Sequence, residues 1–247
     1  TLRAILKLWL GEHSGVFSAG NGPAMRSPLI GVCYGAEPQK LLALVRASTR
    51  LTHTDPKAEF GALAIAVAAY MASSHTQVTP SAYYLKVQEY VQDDAFLQLL
   101  NRVCNSVDRG ESSAQFAAQA LGLDQGISGY MYHTVPVVIH GWLSYQQDYQ
   151  TAIKQMIRLG GDTDTTAAIL GAILGAQVGK PGIPQPWLTH LAEWPRTVTW
   201  MEQLAQRLAA GTPQTALPVS VMGLMARNGI FMGIILLHGL RRLLPPY

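Results

Sequence analysis

Cysteine is rare in this sequence, which holds only Cys33 and Cys104 among its 247 residues. The two lie far apart and lack the spacing of a zinc site or of a disulfide framework. We interpret both thiols as core residues. Two scattered thiols are also typical of proteins from a reducing cytoplasm, which is the expected location.

Charge is scarce as well. Charged residues make up 13% of the chain, and 18 Lys and Arg against 15 Asp and Glu leave a formal charge of only +3. A surface that binds nucleic acid usually concentrates basic residues, whereas these are scattered, so no nucleic-acid partner is expected. The hydrophobic content of 49% is ample for a sizeable core and argues against disorder.

Long hydrophobic runs are missing too. The most apolar run, "GIFMGIILLHGL" from Gly229 to Leu240, is bracketed by Arg227 and Asn228 and by Arg241 and Arg242. Because a membrane-spanning helix needs about 20 apolar residues, we interpret this run as a buried or interfacial helix and expect no membrane span. The opening "TLRAILKLWLGEH" is amphipathic and has no cleavage site, so it predicts a helix rather than a signal peptide.

Alternating strand patterns are few, whereas apolar residues recur at helical spacings of three and four. Examples are "QKLLALVRASTRL", "AFLQLLNRVC", "YQTAIKQMIRL" and "VTWMEQLAQRLAA". The sequence therefore predicts an all-α, multihelical fold. We expect one helical domain over residues 1–212 and a tail over residues 213–247 that carries a short hydrophobic helix.

Two helices are expected at the centre of the bundle because their side chains are small. One begins at "TDPKAEFGALAIAVAAY", where Asp55 is a natural N-cap and Pro56 suits the first helical position. The other follows an Asp pair and carries Gly171 and Gly175 four residues apart on one face. This spacing predicts the close approach of a neighbouring backbone.

The segment "GGDTDTT" places Asp162, Asp164 and Thr165 directly after Gly160 and Gly161. Carboxylate and hydroxyl oxygens are hard donors, which favour Mg²⁺, Mn²⁺ or Ca²⁺ over zinc. The simpler alternative is that Asp164 or Thr165 caps the helix and Asp162 sits in its first polar turn. Two carboxylates are too few for a tight divalent site, so further ligands would have to come from elsewhere.

Four blocks in order resemble the ADP-ribosylglycohydrolase family, which includes dinitrogenase reductase-activating glycohydrolases and J1 crystallins. These blocks are "GNGPAMRSPLIG", "THTDPKAEFGA", "GYMYHTVPVVIHGW" and "GGDTDTTAAILGAILGA". The ending "RNGIFMGIILLHGLRRLLPPY" is also similar to that of some bacterial members. The resemblance covers nearly the whole chain and favours the metal interpretation of the Asp pair.

The resemblance implies an all-helical hydrolase that uses two Mg²⁺ or Mn²⁺ ions to cleave the bond between ADP-ribose and an acceptor, often arginine. Asp162, Asp164 and Thr165 would be metal ligands. Substrate-binding residues would be Ser18, Gly20, Asn21, Gly22, Arg26, His53, Tyr130 and Tyr132. The expected partner is ADP-ribose or an ADP-ribosylated protein, while the catalytic carboxylate is not assigned.

Several of these residues have simpler alternatives. Arg26 suits a structural ion pair as well as a brace for the ligand loop, and His53 suits a hydrogen bond at a helix entry. Tyr130 and Tyr132 are two apart and would diverge on a helix, so at most one is expected to stack on a ligand. His133 and His140 are expected to hydrogen-bond near the core rather than to bind metal.

The family pattern also has an N-terminal portion with a Gly-Asp segment, an acidic residue and a Thr-Asp-Asp-Thr motif, none of which precedes the glycine loop here. We therefore expect a C-terminal piece of a longer polypeptide or a naturally short protein. Its metal site would be half complete and the isolated chain catalytically poor. The exposed apolar surface would favour a homo-oligomer. The alternative functions are a non-catalytic ADP-ribose or nucleotide-binding module and a structural, crystallin-like role.

Overall fold

The structure is a computed structural model that describes residues 15–211 and 215–242, and the predicted N-terminal helix lies outside them. These residues form twelve α-helices and no strands, which confirms the all-α fold. The chain divides into two compact units, residues 1–184 and 185–247. The domain boundary expected at residues 212–213 falls in the stretch 212–214, outside the described residues.

The described residues of the first unit form nine α-helices. They are α1 Gly22–Tyr34, α2 Pro38–Arg50, α3 Pro56–Ser74, α4 Pro80–Gln88, α5 Asp94–Asp108, α6 Ser113–Leu121, α7 Met131–Ser144, α8 Tyr149–Arg158 and α9 Thr163–Val178, and a short 3₁₀ turn follows at Lys180–Gly182.

In the described part of the second unit there are three α-helices, which are α10 Gln185–Thr189, α11 Val198–Ala209 and α12 Val221–Arg242. Helix α12 is longer than the apolar run from Gly229 to Leu240 and begins eight residues before it. By length and composition alone it is long and apolar enough to cross a membrane. The absence of a membrane span therefore stays a prediction.

Helix α3 is the centre of the first unit, as predicted. It contacts α1, α2, α4, α7 and α9, and every residue from Gly61 to Ala69 is buried. Asp55 is its N-cap and accepts a hydrogen bond from the Lys57 N–H at 2.9 Å, with Pro56 at the first helical position. Both features of the predicted helix start are confirmed.

The close backbone approach lies elsewhere than predicted. A side chain at Gly31 of α1 would overlap the carbonyl group of Ala66 in α3. Gly171 instead faces the Tyr149 hydroxyl, which would lie 2.9 Å from an added Cβ, and Gly175 faces open space within the described residues. The prediction for the α9 glycines was therefore wrong, because a tyrosine side chain rather than a helix backbone packs there.

The two cysteines differ in their surroundings. Cys104 is buried in α5, as predicted, and burial raises the pKa of its thiol to about 12. Cys33 is exposed on α1, so its assignment to the core was wrong. The buried face of α1 is formed by Pro23, Ala24, Ser27, Pro28 and Gly31, and Cys33 lies off that face.

Candidate functional site

The two glycines before the Asp pair make a sharp turn, as predicted. Gly160 and Gly161 both adopt left-handed backbone conformations, with φ of 74° and 77°. A side chain at Gly161 would overlap the Ile127 backbone, so only glycine fits there. The Asp162 N–H then donates to the Ile127 carbonyl oxygen at 2.7 Å, which fixes the start of α9 beside residues 126–127.

Asp162 occupies the N-cap position of α9 but its side chain makes no capping hydrogen bond. Its Oδ2 atom accepts a hydrogen bond from Nδ2 of Asn21 at 2.7 Å instead. Asp164 and Thr165 lie inside the first turn of α9, so the interpretation of either as the helix cap was wrong. The Asp162 side chain thus joins α9 to the glycine loop.

The carboxyl group of Asp162 is held in its charged form. Partial burial acts to raise its pKa, but the hydrogen bond from Asn21 and polar interactions with Thr165 and Asp164 outweigh burial, so the pKa lies below its ordinary value. Asp164 is exposed and Thr165 is buried. Two carboxylates and a hydroxyl therefore lie together at one helix start.

These oxygen donors fit part of a site for a hard divalent cation. Across the described stretches 15–211 and 215–242, no three His, Cys, Asp or Glu residues are grouped so that they could hold a metal ion. The binding of Mg²⁺ or Mn²⁺ therefore stays a prediction. A tight site would need ligands beyond Asp162, Asp164 and Thr165.

The loop from Ser18 to Gly22 is fixed by backbone contacts on both sides. Gly20 forms a bridge with Tyr130, and Val16 forms one with His53. The Asn21 N–H donates to the Gly129 carbonyl oxygen at 3.0 Å. The loop is thus held between the segment before α3 and the segment before α7, with Ser18 partly exposed.

His53 lies against this loop. A Cβ atom at Gly20 would come within 2.8 Å of Nε2 of His53, and one at Gly22 within 3.3 Å of Cε1. Its Nδ1 atom hydrogen-bonds with Oγ1 of Thr52 at 2.8 Å. Burial and, secondly, the charge of Arg26 lower the pKa of His53, which favours the neutral imidazole near pH 7.

Among residues 15–211 and 215–242, Arg26 forms no ion pair and is held as a brace by hydrogen bonds. Its guanidinium donates to the Gly22 carbonyl at 3.1 Å, the Ser48 carbonyl at 2.9 Å and the Thr52 hydroxyl at 2.8 Å. These bonds join the start of α1 to the end of α2. Arg26 therefore positions both the glycine loop and the segment that carries His53.

The two tyrosines do not diverge. Tyr130 is the N-cap of α7, with an extended backbone, so its ring centroid lies only 5.8 Å from that of Tyr132. Tyr132 is 5% exposed and stacks on Phe96 at 4.6 Å, whereas Tyr130 is partly exposed. The expected divergence was wrong because Tyr130 precedes the helix, and Tyr130 is the ring open to a ligand.

Two residues at the site were not singled out from the sequence. The Thr134 hydroxyl accepts the second hydrogen bond of the Asn21 amide group at 3.0 Å. The Lys57 ammonium donates to the Tyr130 hydroxyl at 3.2 Å, and this hydrogen bond raises the pKa of Lys57. Thr134 follows Tyr130 by four residues and Lys57 follows the N-cap Asp55 by two. Both spacings could have indicated from the sequence that these side chains lie near the site.

The two histidines of α7, His133 and His140, are hydrogen-bonded, as predicted. His133 pairs with the Ser128 hydroxyl at 2.9 Å. His140 is buried between the hydroxyls of Ser106 at 3.2 Å and Ser113 at 3.0 Å. Their partners are serines, in keeping with a structural role.

The sequence matches the ADP-ribosylglycohydrolase family model over residues 1–217. An uncharacterized protein of Archaeoglobus fulgidus is 30% identical over 210 residues, which cover 83% of this chain and 64% of that protein. ADP-ribosylhydrolase ARH3 of Mus musculus is 28% identical over 205 residues, which cover 71% of this chain and 54% of that protein.

A solved structure described as an ADP-ribosylglycohydrolase-related protein complex superposes with a TM-score of 0.58 at 24% identity. That superposition covers 85% of this chain and 66% of the solved chain, and it supports the fold. The matched parts make up 64% and 54% of the two relatives, so this chain spans only part of their length. With a family match that extends over most of its residues, the chain belongs to the ADP-ribosylglycohydrolase family.

Proposed function

We propose that this chain forms the ADP-ribose-binding part of a hydrolase that cleaves the glycosidic bond between ADP-ribose and an acceptor such as an arginine side chain. The observation that supports the proposal is the bond from Asn21 to Asp162, because it joins the glycine loop to the helix start that carries the Asp pair. If the loop binds phosphate and the helix start binds a metal ion, the two together would suit a substrate with both a diphosphate and a reactive ribose.

The diphosphate would lie at the start of α1. Helix N-termini attract anions because their first N–H groups point outward. The side chain of Asn21, the N-cap of α1, makes no capping hydrogen bond, since it bonds to Asp162 and Thr134 instead. Gly20 and Gly22 add backbone that a phosphate can approach closely, and a neutral His53 can donate one N–H.

Tyr130 would border the ribose or the adenine. Its partly exposed ring offers an aromatic face, and its hydroxyl is held by the Lys57 ammonium. The Lys57 nitrogen also lies 5.8 Å from the Tyr130 ring centroid and 5.4 Å from that of Tyr132. The positive charge of Lys57 would favour a ligand with an anionic group that lies against either ring.

Asp162, Asp164 and Thr165 would hold Mg²⁺ or Mn²⁺. A bound ion would orient the ribose hydroxyls and a water molecule and would stabilise charge at the anomeric carbon. The hydrogen bond from Asn21 orients the Asp162 carboxylate and helps to lower its pKa, and a charged carboxylate would favour a bound cation.

A second candidate is an ADP-ribose-binding module without turnover. It is favoured by the described residues themselves, in which two carboxylates lie at the start of α9 but no third His, Cys, Asp or Glu joins them. Such a module would bind ADP-ribose without a metal ion.

Calorimetry with ADP-ribose, with Mn²⁺ or with a chelator, tests both candidates when it is paired with an assay for ADP-ribose release from ADP-ribosyl-arginine. We expect binding in either condition and stronger binding with Mn²⁺. Asp164→Ala should remove the metal-dependent gain, while the control Asp108→Ala, which removes another exposed carboxylate, should not.

The outcomes separate the two candidates. Release of ADP-ribose that depends on Mn²⁺ and is lost in Asp164→Ala supports the hydrolase. Binding that is unchanged by chelator, with no release from this chain or from a longer version with an N-terminal portion, supports the module. No binding of ADP-ribose at all would contradict both.

A further inference from the structure

Helix α12 exposes nearly all of its apolar side chains. Only 6% of its most apolar 18-residue window is buried, and Gly223 is its single buried residue. Phe231, Ile234 and Leu236 are each at least half exposed. Large exposed apolar surfaces in water-soluble proteins mark contacts with another molecule.

The two ends of α12 differ in how they are held within the second unit. Near its start, Arg227 forms an ion pair with Glu193 at 3.0 Å, and a Cβ at Gly223 would lie 3.4 Å from the Trp194 ring. Farther along, Cβ atoms at Gly229, Gly233 and Gly239 would meet nothing within 4 Å among the described residues. The glycine positions in the later turns of α12 are thus open, whereas Gly223 and Arg227 in its first turns pack within the second unit.

The polar side chains of α12 share one face. At about 100° per residue they fall within an arc of about 140°, and they are Arg227, Asn228, His238, Arg241 and Arg242. The same arc also holds the apolar side chains of Leu224, Phe231, Ile234 and Ile235, whereas the rest of the circumference carries no polar side chain. The opposite face carries Met222, Met225, Gly229, Gly233, Leu236 and Leu240. This distribution is typical of a helix that lies along a boundary between water and an apolar phase.

The same residues argue against a transmembrane orientation. The stretch from Gly229 to Leu237 lies between Asn228 and His238 and rises only about 14 Å, against a hydrocarbon core of about 30 Å. Spanning with the whole helix would place Arg227 inside the hydrocarbon, which is costly for a charged side chain.

We propose that α12 binds in the plane of an anionic membrane surface, with the face that contains Leu236 in the acyl region and the face that contains Arg241 and Arg242 at the headgroups. The helix contains no Asp or Glu, so its charge is complementary to acidic lipids. This inference concerns the second unit and does not depend on hydrolase activity in the first.

Flotation with vesicles tests the proposal on the full chain. One set contains phosphatidylcholine alone and the other adds phosphatidylglycerol. We expect about tenfold stronger binding to the anionic vesicles, and we expect raised salt to remove most of this difference. Replacing both Arg241 and Arg242 by Gln should abolish the preference.

Leu236→Glu should abolish vesicle binding, because it places a charge in the apolar face. Its matched control is Leu208→Glu on α11, since Leu208 and Leu236 have similar exposures of 52% and 59%. Thermal unfolding of both variants checks that they fold. If Leu236→Glu fails to fold, Leu236→Gln replaces it in the comparison.

Three outcomes would overturn the proposal. Equal binding to both vesicle types would exclude recognition of anionic headgroups. Resistance of the bound protein to alkaline carbonate extraction would indicate a spanning helix. A stable dimer that ignores vesicles and is disrupted by Leu236→Glu would assign the apolar face to a second copy of the chain.

Discussion

The amide nitrogen of Asn21 lies 2.7 Å from a carboxylate oxygen of Asp162, 141 residues away in sequence. The same nitrogen donates to the Thr134 hydroxyl at 3.0 Å, so both hydrogens of the amide are used. One side chain thereby connects the loop before α1, the start of α7 and the start of α9. Asn21 is the central residue of the candidate site.

Asn21→Asp should destabilise the site strongly, although the two side chains are almost equal in size. The replacement has the same shape but cannot donate at neutral pH, and it would place a second carboxylate against Asp162. We expect a loss of about 1–3 kcal/mol in the free energy of unfolding, measured by urea denaturation. The pKa of Asp162, followed by NMR, should rise.

The control is Asn105→Asp, which changes an exposed asparagine whose side chain hydrogen-bonds only to Asn101 among the described residues. Equal stability losses in the two variants would show that the bond from Asn21 to Asp162 contributes little.

Gly161→Ala should disrupt the turn before α9, whereas Gly160→Ala should be tolerated better. Both glycines have positive φ, so each alanine costs about 1–2 kcal/mol in backbone strain. Only at position 161 would the new methyl group also overlap Ile127, since at position 160 the nearest atom is 3.8 Å away. Thermal unfolding measures the difference, and equal melting temperatures would contradict the steric argument.

The helix glycines give a second matched pair. Gly31→Ala should destabilise the first unit by about 1–3 kcal/mol, because the methyl group would overlap Ala66 of α3. Gly175→Ala should stabilise it by about 1 kcal/mol, because an open position in α9 gains helix propensity. Urea denaturation should give opposite signs, and a loss of stability for both would refute this assignment of the contact.

Stability should fall as the pH falls from about 6.5 towards 4. Burial lowers the pKa of His140 to about 4, although the charge of Glu111 acts against burial. The unfolded chain therefore takes up a proton on His140 before the folded chain does, so stability is complete above pH 6.5 and is lost on acidification. The loss should reach about 3 kcal/mol by pH 4.

Urea denaturation between pH 7.5 and pH 4.5 measures this dependence, with His140→Gln as the control. Most of the slope should vanish in the variant. A smaller slope should remain, because burial also lowers the pKa values of His53 and His133. An unchanged slope in His140→Gln would contradict the assignment.

Features set by neighbouring residues could be predicted from the sequence. Asp55 and Pro56 define the start of α3 because capping depends on a few adjacent positions. Gly160 and Gly161 predict a sharp turn for the same reason. The all-α fold followed from the spacing of apolar residues, which is clear in α2, α5, α8 and α11.

Features set by distant parts of the chain could not be predicted in this way. Nothing local in Asn21 indicates that its amide reaches Asp162 rather than capping α1. The exposure of Cys33 depends on which face of α1 packs against α3. The placement of Tyr130 depends on one residue, since α7 begins at Met131 and not before it.

The three isolated β-bridges at the candidate site affect the order in which the protein folds. They tie residue 16 to residue 53, residue 20 to residue 130 and residue 127 to residue 161. Contacts of such long sequence separation form late, because each closes a large loop of chain at an entropic cost. A partly folded chain would contain helices but no site. The ability to bind a nucleotide would then report that the first unit has folded completely.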